Sequence, residues 1–397
     1  MIVAHARGTL AYRRLTLAML FAGFATFSLL YATQPLLPTF ARTFDLSAEA
    51  ASLAVSIATG PLAIGILAAG SLSDRWGRRP MMVAAMFGAG VATLLAAVAP
   101  GWGTLLACRL LTGLALAGVP AVAMAYVAEE VDEASVGHAM GLYIAGSAIG
   151  GMAGRLGVSL VAGAVGWRWG LGMLGVAGLG LAEGFRRLAP PSRGFVRRGR
   201  GERFRLVALF RDAGLPWLYL EGFVVMGVFV TVYNYAAFRL EAAPYRLGPI
   251  AVSGIFLLYI LGSVSSAWFG GLAGRIGRRR VFWIPVAVLL TGVALTAATP
   301  LAAVVAGIAL VTVGFFGTHS IASAWVGRRA VAARGQVSAM YLFFYYMGSS
   351  VLGSAGGVAW TRGGWPGVVT FCLVLGGVAM AGAIALRRVT PLSAMAT

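Results

Sequence analysis

Seven polar or ionisable residues lie inside long apolar stretches of the sequence and are the first candidates for chemistry: Tyr31, Gln34, Arg109, Arg155, Glu221, Asn234 and His319. A charged or strongly polar side chain is costly in hydrocarbon, so such residues mark sites for a solute, an ion or a proton. Glu221 and His319 are the two that can take up and release a proton. Arg109 and Glu221 are the best candidates for charge in a binding cavity, and their opposite signs nearly cancel.

Each ionisable candidate also has a structural interpretation. Arg109 could snorkel or pair with backbone carbonyls. Arg155, near the outer end of its apolar stretch, suits snorkelling as well as a gating role. Glu221 lies roughly two helical turns from the start of its stretch, where water could reach it. His319 could be a packing histidine.

The sequence excludes several other kinds of chemistry. It contains no phosphate-binding glycine loop followed by Lys and Ser or Thr, which argues against transport driven by ATP. Its histidines, His5, His138 and His319, are too dispersed for the spacing of a metal site, so neither a metal nor a cofactor is expected. No cluster of catalytic polar residues falls near one predicted membrane face, so an enzyme is a remote alternative.

The composition is that of a membrane protein. Of the 397 residues, 59% are hydrophobic and only 11% are charged, whereas soluble domains carry about a quarter charged residues. Apolar stretches near the ~20 residues needed to cross a bilayer occur at 15–38, 49–72, 80–99, 102–127, 137–163, 167–185, 214–238, 249–273, 281–299, 301–326, 336–359 and 365–386. The sequence therefore predicts an all-α membrane protein with twelve transmembrane helices.

Arginine supplies all 31 basic residues and hence the net charge of +19. Most of these arginines lie in short clusters between apolar stretches. Such clusters set the topology of a membrane protein and do not indicate a nucleic-acid surface. Their distribution predicts that both termini lie in the cytoplasm. The expected location is the bacterial inner membrane.

The two halves of the chain are related by a sequence repeat. Residues 70–79, GSLSDRWGRR, align with residues 270–279, GGLAGRIGRR, at an offset of 200 that also matches Met140 with Met340. One offset shared by several segments indicates duplication, which is a known plan for transporters. We predict two pseudo-symmetric six-helix bundles, at 1–188 and 214–397, joined by an Arg-rich cytoplasmic linker at 189–213.

The turn at 70–80, GSLSDRWGRRP, resembles the signature loop between the second and third helices of the major facilitator superfamily. The matching residues are Gly70, Leu72, Asp74, Arg75, Gly77, Arg78 and Arg79. We expect Gly70 to allow close helix packing and Gly77 to permit a left-handed turn. The resemblance implies the fold of that superfamily and transport by alternating access.

A conformational latch on the cytoplasmic side is a second implication of this resemblance. Asp74 would pack near the start of the eleventh helix, and an acid at the end of the fourth helix would pair with a loop arginine. Glu129 and Glu130 are both placed for that role, and the alternatives stay open. Because the second copy of the turn has Gly274 in place of Asp74, its latch is expected to be weaker or to serve topology alone.

Two shorter motifs add to the resemblance, and only the first is typical of the drug:proton antiporter branch. Residues 34–38, QPLLP, resemble the end of helix 1 in drug:proton antiporters, and residues 109–113, RLLTG, resemble the helix 4 motif. No Asp or Glu lies between residues 15 and 42, although that branch often carries an acid in helix 1.

A third motif is incomplete. Gly141, Gly150 and Gly154 partly follow the spaced glycines of the helix 5 antiporter motif, but Arg155 stands in place of its proline. The glycines still predict tight helix packing. The missing proline weakens the inference of antiport.

Secondary active transport is the expected function, with proton-coupled efflux of a small drug or metabolite as the specific hypothesis. The expected partners are a small-molecule substrate, protons and the lipid bilayer, without nucleic acid, and the protein is expected to be a monomer. An uncoupled uniporter or an importer is the main alternative. A membrane-embedded enzyme or a sensor is a remote one.

Overall fold

A computed structural model of the chain describes residues 5–192, 209–210, 212–329 and 334–389, and these residues are almost entirely helical. Helices α1 to α8 are Leu10–Leu30, Leu37–Thr43, Ala48–Trp76, Arg78–Ala97, Trp102–Leu116, Pro120–Glu130, Val136–Val165 and Trp167–Leu188. Helices α9 to α16 are Leu215–Glu241, Pro249–Ser253, Tyr259–Ile276, Arg278–Val281, Trp283–Leu295, Leu301–Arg329, Arg334–Met347 and Gly353–Arg388. Most of the predicted linker at 189–213 lies outside the described residues.

The described helices account for twelve membrane spans. Nine helical stretches among the described residues are long and apolar enough to cross a membrane. The last, Gly335–Arg388, has 54 residues, more than twice the ~20 that one crossing requires, and it breaks at Gly364, where φ is 57°. This stretch therefore contains two spans, so the nine stretches provide ten spans. Helix α8 provides one more span, and α12 and α13 together provide the twelfth. The predicted all-α membrane fold is confirmed.

Proline explains two interruptions that the predicted spans did not contain. Helix α1 ends at Leu30, and a short 3₁₀ segment, Gln34–Leu36, leads into α2. The predicted span 102–127 likewise divides between α5 and α6, and Pro120 is the first residue of α6. Proline lacks a backbone N–H, so it fits the first turn of a helix but disrupts its interior. A π-helical segment, Gly348–Leu352, separates α15 from α16.

The chain divides into two compact units with boundaries at residues 40/41, 56/57 and 203/204. In the first unit, α1 packs along α7 through glycines spaced four residues apart. A Cβ atom placed on Gly146 would overlap the backbone of Leu20, and one placed on Gly150 would overlap the backbone of Phe24. Small residues at this spacing let two helix backbones approach closely in a membrane.

The helix 5 motif identified only part of this glycine stripe. A Cβ on Gly154 would lie 2.5 Å from the Cβ of Ser28 on α1, whereas one on Gly141 would have no neighbour within 4 Å in the described part of the chain. Gly141 and Gly150 are nine residues apart, which is two and a half turns at about 3.6 residues per turn, so they lie on opposite helix faces. Gly146 takes the place in the packing that Gly141 was expected to fill.

Helix α9 is the enclosed helix of the second unit. Twenty of the 26 residues from Leu215 to Leu240 are buried. Close approach is again made possible by glycine, since a Cβ on Gly348 would overlap the carbonyl of Phe223. A polar side chain on α9 therefore faces protein instead of lipid.

We expect Gly150→Ala to destabilise the protein, because the added Cβ would overlap the backbone of Phe24 and would force α1 and α7 apart. Overpacking of this kind typically costs about 1–3 kcal/mol. Gly141→Ala is the matched control and should be neutral or stabilising by up to about 1 kcal/mol, since alanine is the better helix former. Thermal unfolding of the detergent-purified proteins measures both. Equal effects of the two substitutions would contradict the packing described here.

Candidate functional site

Arg109 lies in α5 and is completely buried. Its guanidinium group donates hydrogen bonds to the backbone carbonyl of Leu29, at 2.9 Å, and to that of Leu30. These two residues end α1, where carbonyl groups lack partners within the helix and carry the negative end of the helix dipole. Arg109 therefore pairs with backbone carbonyls, which is one of the structural interpretations that the sequence left open.

Arg155 is also buried and reaches the same end of α1. Its Nε donates to Gln34 Oε1 at 2.7 Å, and its Nη1 donates to the carbonyl of Gly151 at 2.6 Å. The guanidinium carbon lies 4.5 Å from the ring centroid of Tyr31, within the range of cation–π attraction. Arg155 therefore does not snorkel. We call Tyr31, Gln34, Arg109 and Arg155 the α1-end cluster.

Glu221 is buried on α9, with 1% of its surface exposed, and neither carboxylate oxygen has a hydrogen-bond partner among the described residues. It borders a small cavity inside the second unit whose other polar lining residues are Thr318, His319, Tyr341 and Tyr345. On the α16 side, a Cβ placed on Gly382 would come 2.8 Å from Glu221 Oε1. The structure thus does not show the wetted position that was the alternative for this residue.

His319 lies on α14 and lines the same cavity as Glu221. Its Nδ1 is 2.9 Å from the hydroxyl oxygen of Tyr341. The imidazole stacks on the ring of Phe315, at 6.0 Å between centroids, and lies 4.7 Å from the ring of Tyr345. His319 is therefore held by packing and by one side-chain hydrogen bond. Tyr341 was not among the predicted site residues, although it lies in the same sequence segment as other aromatic residues.

Asn234 is buried on α9 but does not join Glu221. The two residues are thirteen positions apart, which is about 20 Å along a helix. A Cβ on Gly353 would lie 3.6 Å from Asn234 Nδ2, which places this amide beside the start of α16. The predicted candidates on α9 therefore belong to separate environments.

The turn between α3 and α4 gathers three of the predicted latch residues. Arg78 Nη2 lies 2.7 Å from Asp74 Oδ1 and 2.9 Å from Glu129 Oε1. Arg78 Nη1 also donates to Ser73 Oγ at 2.5 Å. Of the two acids considered at the end of the fourth span, Glu129 is thus the one whose carboxylate contacts Arg78, while the backbone carbonyl of Glu130 accepts a hydrogen bond from His5 N at 2.8 Å.

The remaining residues of this turn have distinct surroundings. Gly77 has a φ of 93°, which is the left-handed turn expected of it. Arg79 donates to the carbonyls of Arg186, at 2.6 Å, and Ala189, at 2.9 Å, and so caps the end of α8. Arg75 is exposed. The close packing expected at Gly70 is not found, since no atom of a described residue lies within 4 Å of a Cβ placed there.

The second copy of the turn keeps the backbone but not the acids. Gly277 has a φ of 95°, matching Gly77. The residue 200 positions after Glu129 is Arg329, which is buried. Arg329 binds Asp212 through two parallel contacts, Nε to Oδ1 at 2.5 Å and Nη2 to Oδ2 at 2.8 Å. This ion pair was not predicted from the sequence. The offset of 200 aligns Arg329 with Glu129, however, and so shows that the charge at this position differs in sign between the two halves.

Asp212 also caps the start of α9 from a position just before the helix. Its Oδ1 accepts hydrogen bonds from the backbone N–H groups of Gly214, at 2.8 Å, and Leu215, at 2.9 Å. Burial by itself would raise the pKa of the Asp212 carboxyl, but the hydrogen bonds from Arg329 and from these two N–H groups hold the pKa below its usual value. The carboxylate therefore joins α9 to the end of α14 within the second unit.

A family model described as Major Facilitator Superfamily matches residues 19–353, which is most of the chain. The chain belongs to that superfamily. Members of the Major Facilitator Superfamily are transporters and not enzymes, so this protein is a multi-pass membrane transporter of the secondary type.

Relatives of this superfamily member match over nearly its full length. An uncharacterized MFS-type transporter of Bacillus subtilis (strain 168), YybF, is 42% identical over 376 residues that cover 93% of each chain. The inner membrane transport protein YnfM of Escherichia coli (strain K12) is 42% identical over 376 residues, covering 93% of this chain and 89% of YnfM. Neither name states a substrate.

A solved structure has the same fold. The crystal structure of a mutant of the nucleoside transporter NupG superposes with a TM-score of 0.76, covering 95% of this chain and all of that one. The two sequences are only 16% identical, so the likeness shows the major facilitator fold alone.

We expect Glu129→Gln to lower the free energy of unfolding by about 1–3 kcal/mol, because Arg78 stays buried after losing one of its two carboxylates. Glu133→Gln, which neutralises an exposed acid a few residues away, should have little effect. Chemical unfolding in detergent, followed by tryptophan fluorescence, compares the two. A larger loss for Glu133→Gln than for Glu129→Gln would contradict the pairing.

The Asp212 carboxylate should contribute pH-dependent stability. A carboxyl group whose pKa is lower in the folded chain stabilises the fold above its unfolded pKa of about 3.9 and loses that contribution as the pH falls through its folded pKa. Asp212→Asn should therefore reduce the thermal stability at pH 7, and its deficit should shrink as the pH falls below about 3.9. Asp45→Asn, at an exposed acid, is the control. A deficit independent of pH would rule out the ionic contribution.

Proposed function

We propose that this transporter exports a small organic molecule, a drug or a metabolite, in exchange for protons, by alternating access. It would do so as a monomer in the bacterial inner membrane, with both termini in the cytoplasm. The observation that supports proton coupling is the burial of Glu221 in a helix enclosed by protein, without a hydrogen-bond donor among the described residues.

Proton binding at Glu221 follows from the cost of burying charge. Burying an ionised carboxylate without a donor costs far more than burying the protonated acid. Ionisation of Glu221 in this arrangement would therefore require a donor to approach or the surrounding helices to move. A group of this kind links proton release to conformational change, which is what a proton-driven transporter needs.

The hydroxyl of Tyr341 is one source of such a donor among the residues that line the cavity. It lies 2.9 Å from His319 Nδ1, and both residues border the cavity beside Glu221. A hydroxyl hydrogen can rotate between acceptors. If the Tyr341 hydroxyl turned its hydrogen toward an ionised Glu221, its oxygen would still accept a hydrogen bond from His319 in the tautomer that carries the proton on Nδ1.

Substrate binding is assigned to the α1-end cluster in this proposal. Tyr31 offers an aromatic face, and Gln34 and Arg155 offer hydrogen bonds within one buried group. This combination suits an organic molecule with both an apolar part and a polar part. Arg109, which satisfies the carbonyls of α1, would position the cluster.

The latch is assigned to Arg78 with Asp74 and Glu129. Partly buried charge pairs resist separation because each charge would be left without its partner. Asp74→Asn should therefore change the transport rate in reconstituted vesicles, while Glu133→Gln should not. A wild-type rate for Asp74→Asn would remove the latch from the mechanism.

An uncoupled uniporter or an importer is the second candidate function. It is favoured by the absence of an acid between residues 15 and 42 and by Arg155 in place of the motif's proline. The two candidates differ in how a pH gradient acts on the substrate.

The decisive experiment begins with a thermal-shift screen of the purified transporter against drugs, sugars and organic acids. The strongest hit is then placed in proteoliposomes with an imposed pH gradient. A proton antiporter accumulates it on the acidic side and a proton symporter on the alkaline side, whereas a uniporter equalises its concentration.

Glu221→Gln should abolish accumulation driven by the pH gradient while retaining exchange of labelled for unlabelled substrate, because the neutral side chain mimics the protonated acid. Glu133→Gln should behave as wild type. Gradient-driven accumulation by Glu221→Gln at the wild-type level would exclude Glu221 as the coupling residue.

A further inference from the structure

Five arginines of the second unit form a basic cluster at the end of α11, in α12 and at the end of α14: Arg275, Arg278, Arg279, Arg280 and Arg328. Three of them are exposed, and Arg278 and Arg279 are partly buried. None of the five guanidinium groups makes a hydrogen bond or an ion pair with a described residue. The cluster lies on the side of the membrane predicted to be cytoplasmic.

Ring packing brings the two segments of the cluster together. Phe282, which follows α12, meets Trp325 of α14 edge to face at 5.8 Å between centroids. Arg278 lies one helical turn before Phe282, and Arg328 lies three residues after Trp325. This ring contact brings the two positively charged segments to neighbouring positions on the second unit.

The first unit shows what is missing at this cluster. Arg78 is neutralised by Asp74 and Glu129. The equivalent positions 200 residues later hold Gly274 and Arg329, so neither offers a carboxylate to Arg278.

The acids of the second half do not restore the balance. No Asp or Glu follows Glu241 in the sequence. Asp212 is already bound to Arg329 through both of its oxygens. Glu221 is buried on α9, and Glu202 lies outside the described residues. An anion from outside the described protein is thus the fitting partner for the cluster.

The surface beside the cluster indicates where that anion comes from. Trp268 and Ile276 of α11 are 60% and 47% exposed, and Trp283 at the start of α13 is 39% exposed. The indole of Trp283 donates to the carbonyl of Arg280 at 3.0 Å. Tryptophan at a helix end beside arginine is typical of the headgroup level of a bilayer. A ligand here would meet positive charge at one end and an apolar helix surface at the other.

We propose that this basic cluster binds the phosphate headgroup of an anionic phospholipid such as phosphatidylglycerol. The phosphate supplies the negative charge that Asp74 and Glu129 supply to Arg78, and the acyl chains lie along the exposed face of α11. Basic clusters between transmembrane helices at the cytoplasmic surface favour such headgroups. Lipid binding here does not depend on the direction or the coupling of transport.

Native mass spectrometry of the detergent-purified transporter tests this site by titration with dioleoyl-phosphatidylglycerol and with dioleoyl-phosphatidylcholine. The wild type should bind phosphatidylglycerol in preference. Replacing Arg278 and Arg328 together by glutamine should weaken that binding by roughly 25-fold, at about fivefold for each arginine near an anionic lipid. Binding of phosphatidylcholine should not change.

The control removes the same charge elsewhere on the second unit. Arg387→Gln with Arg388→Gln neutralises two exposed arginines at the end of α16, on the same predicted side. Equal weakening by the two double variants would show a general effect of net charge and overturn the site, as would a wild type without preference. Displacement of the lipid by millimolar inorganic phosphate would show a free-anion site instead. If the double variant fails to fold, Arg328→Gln alone is compared with Arg387→Gln alone, since both arginines are exposed.

Discussion

A charge inside the membrane must find its partner within the protein, because hydrocarbon offers none. The interruption of α1 before Pro35 meets that requirement in the first unit. Ending the helix at Leu30 leaves carbonyl groups that a continuous helix would have bonded internally, and Arg109 takes up two of them. Arg155 reaches the same place through Gln34 and Tyr31. The helix break and the two buried arginines are therefore parts of one arrangement.

Glu221 departs from this rule within the second unit. Helix α9 is enclosed by protein, and the carboxyl group faces a cavity shared with His319 and Tyr341 and has no hydrogen-bond donor among the described residues. An acid in such a place is tolerable when it carries its proton and costly when it does not. The same enclosure that isolates Glu221 from lipid makes its ionisation depend on movement of its neighbours.

The two copies of the signature turn share a backbone but differ in electrostatics. Gly77 and Gly277 have nearly equal φ values of 93° and 95°, so both turns have the same left-handed step. Around Arg78 the partners are carboxylates, whereas the second unit carries Arg329 where the first carries Glu129. Asp212 pairs with Arg329 instead, and the arginines of the basic cluster have no carboxylate partner among the described residues. The repeat in the sequence therefore does not imply a repeat of the charge pairs.

Composition and spacing were sufficient to determine the membrane class, the helical spans and the superfamily, because hydrophobic length and the turn motif are local properties of the chain. Contacts between distant segments were decided only by the tertiary structure. The sequence could not choose between Glu129 and Glu130, and it grouped Asn234 with Glu221, since which face a helix turns to its neighbour depends on packing. Asp212 and Arg329 are 117 residues apart and meet only after α9 and α14 pack together. Partners of buried charges are set by that packing, because each charge pairs with whatever group the folded chain brings within reach.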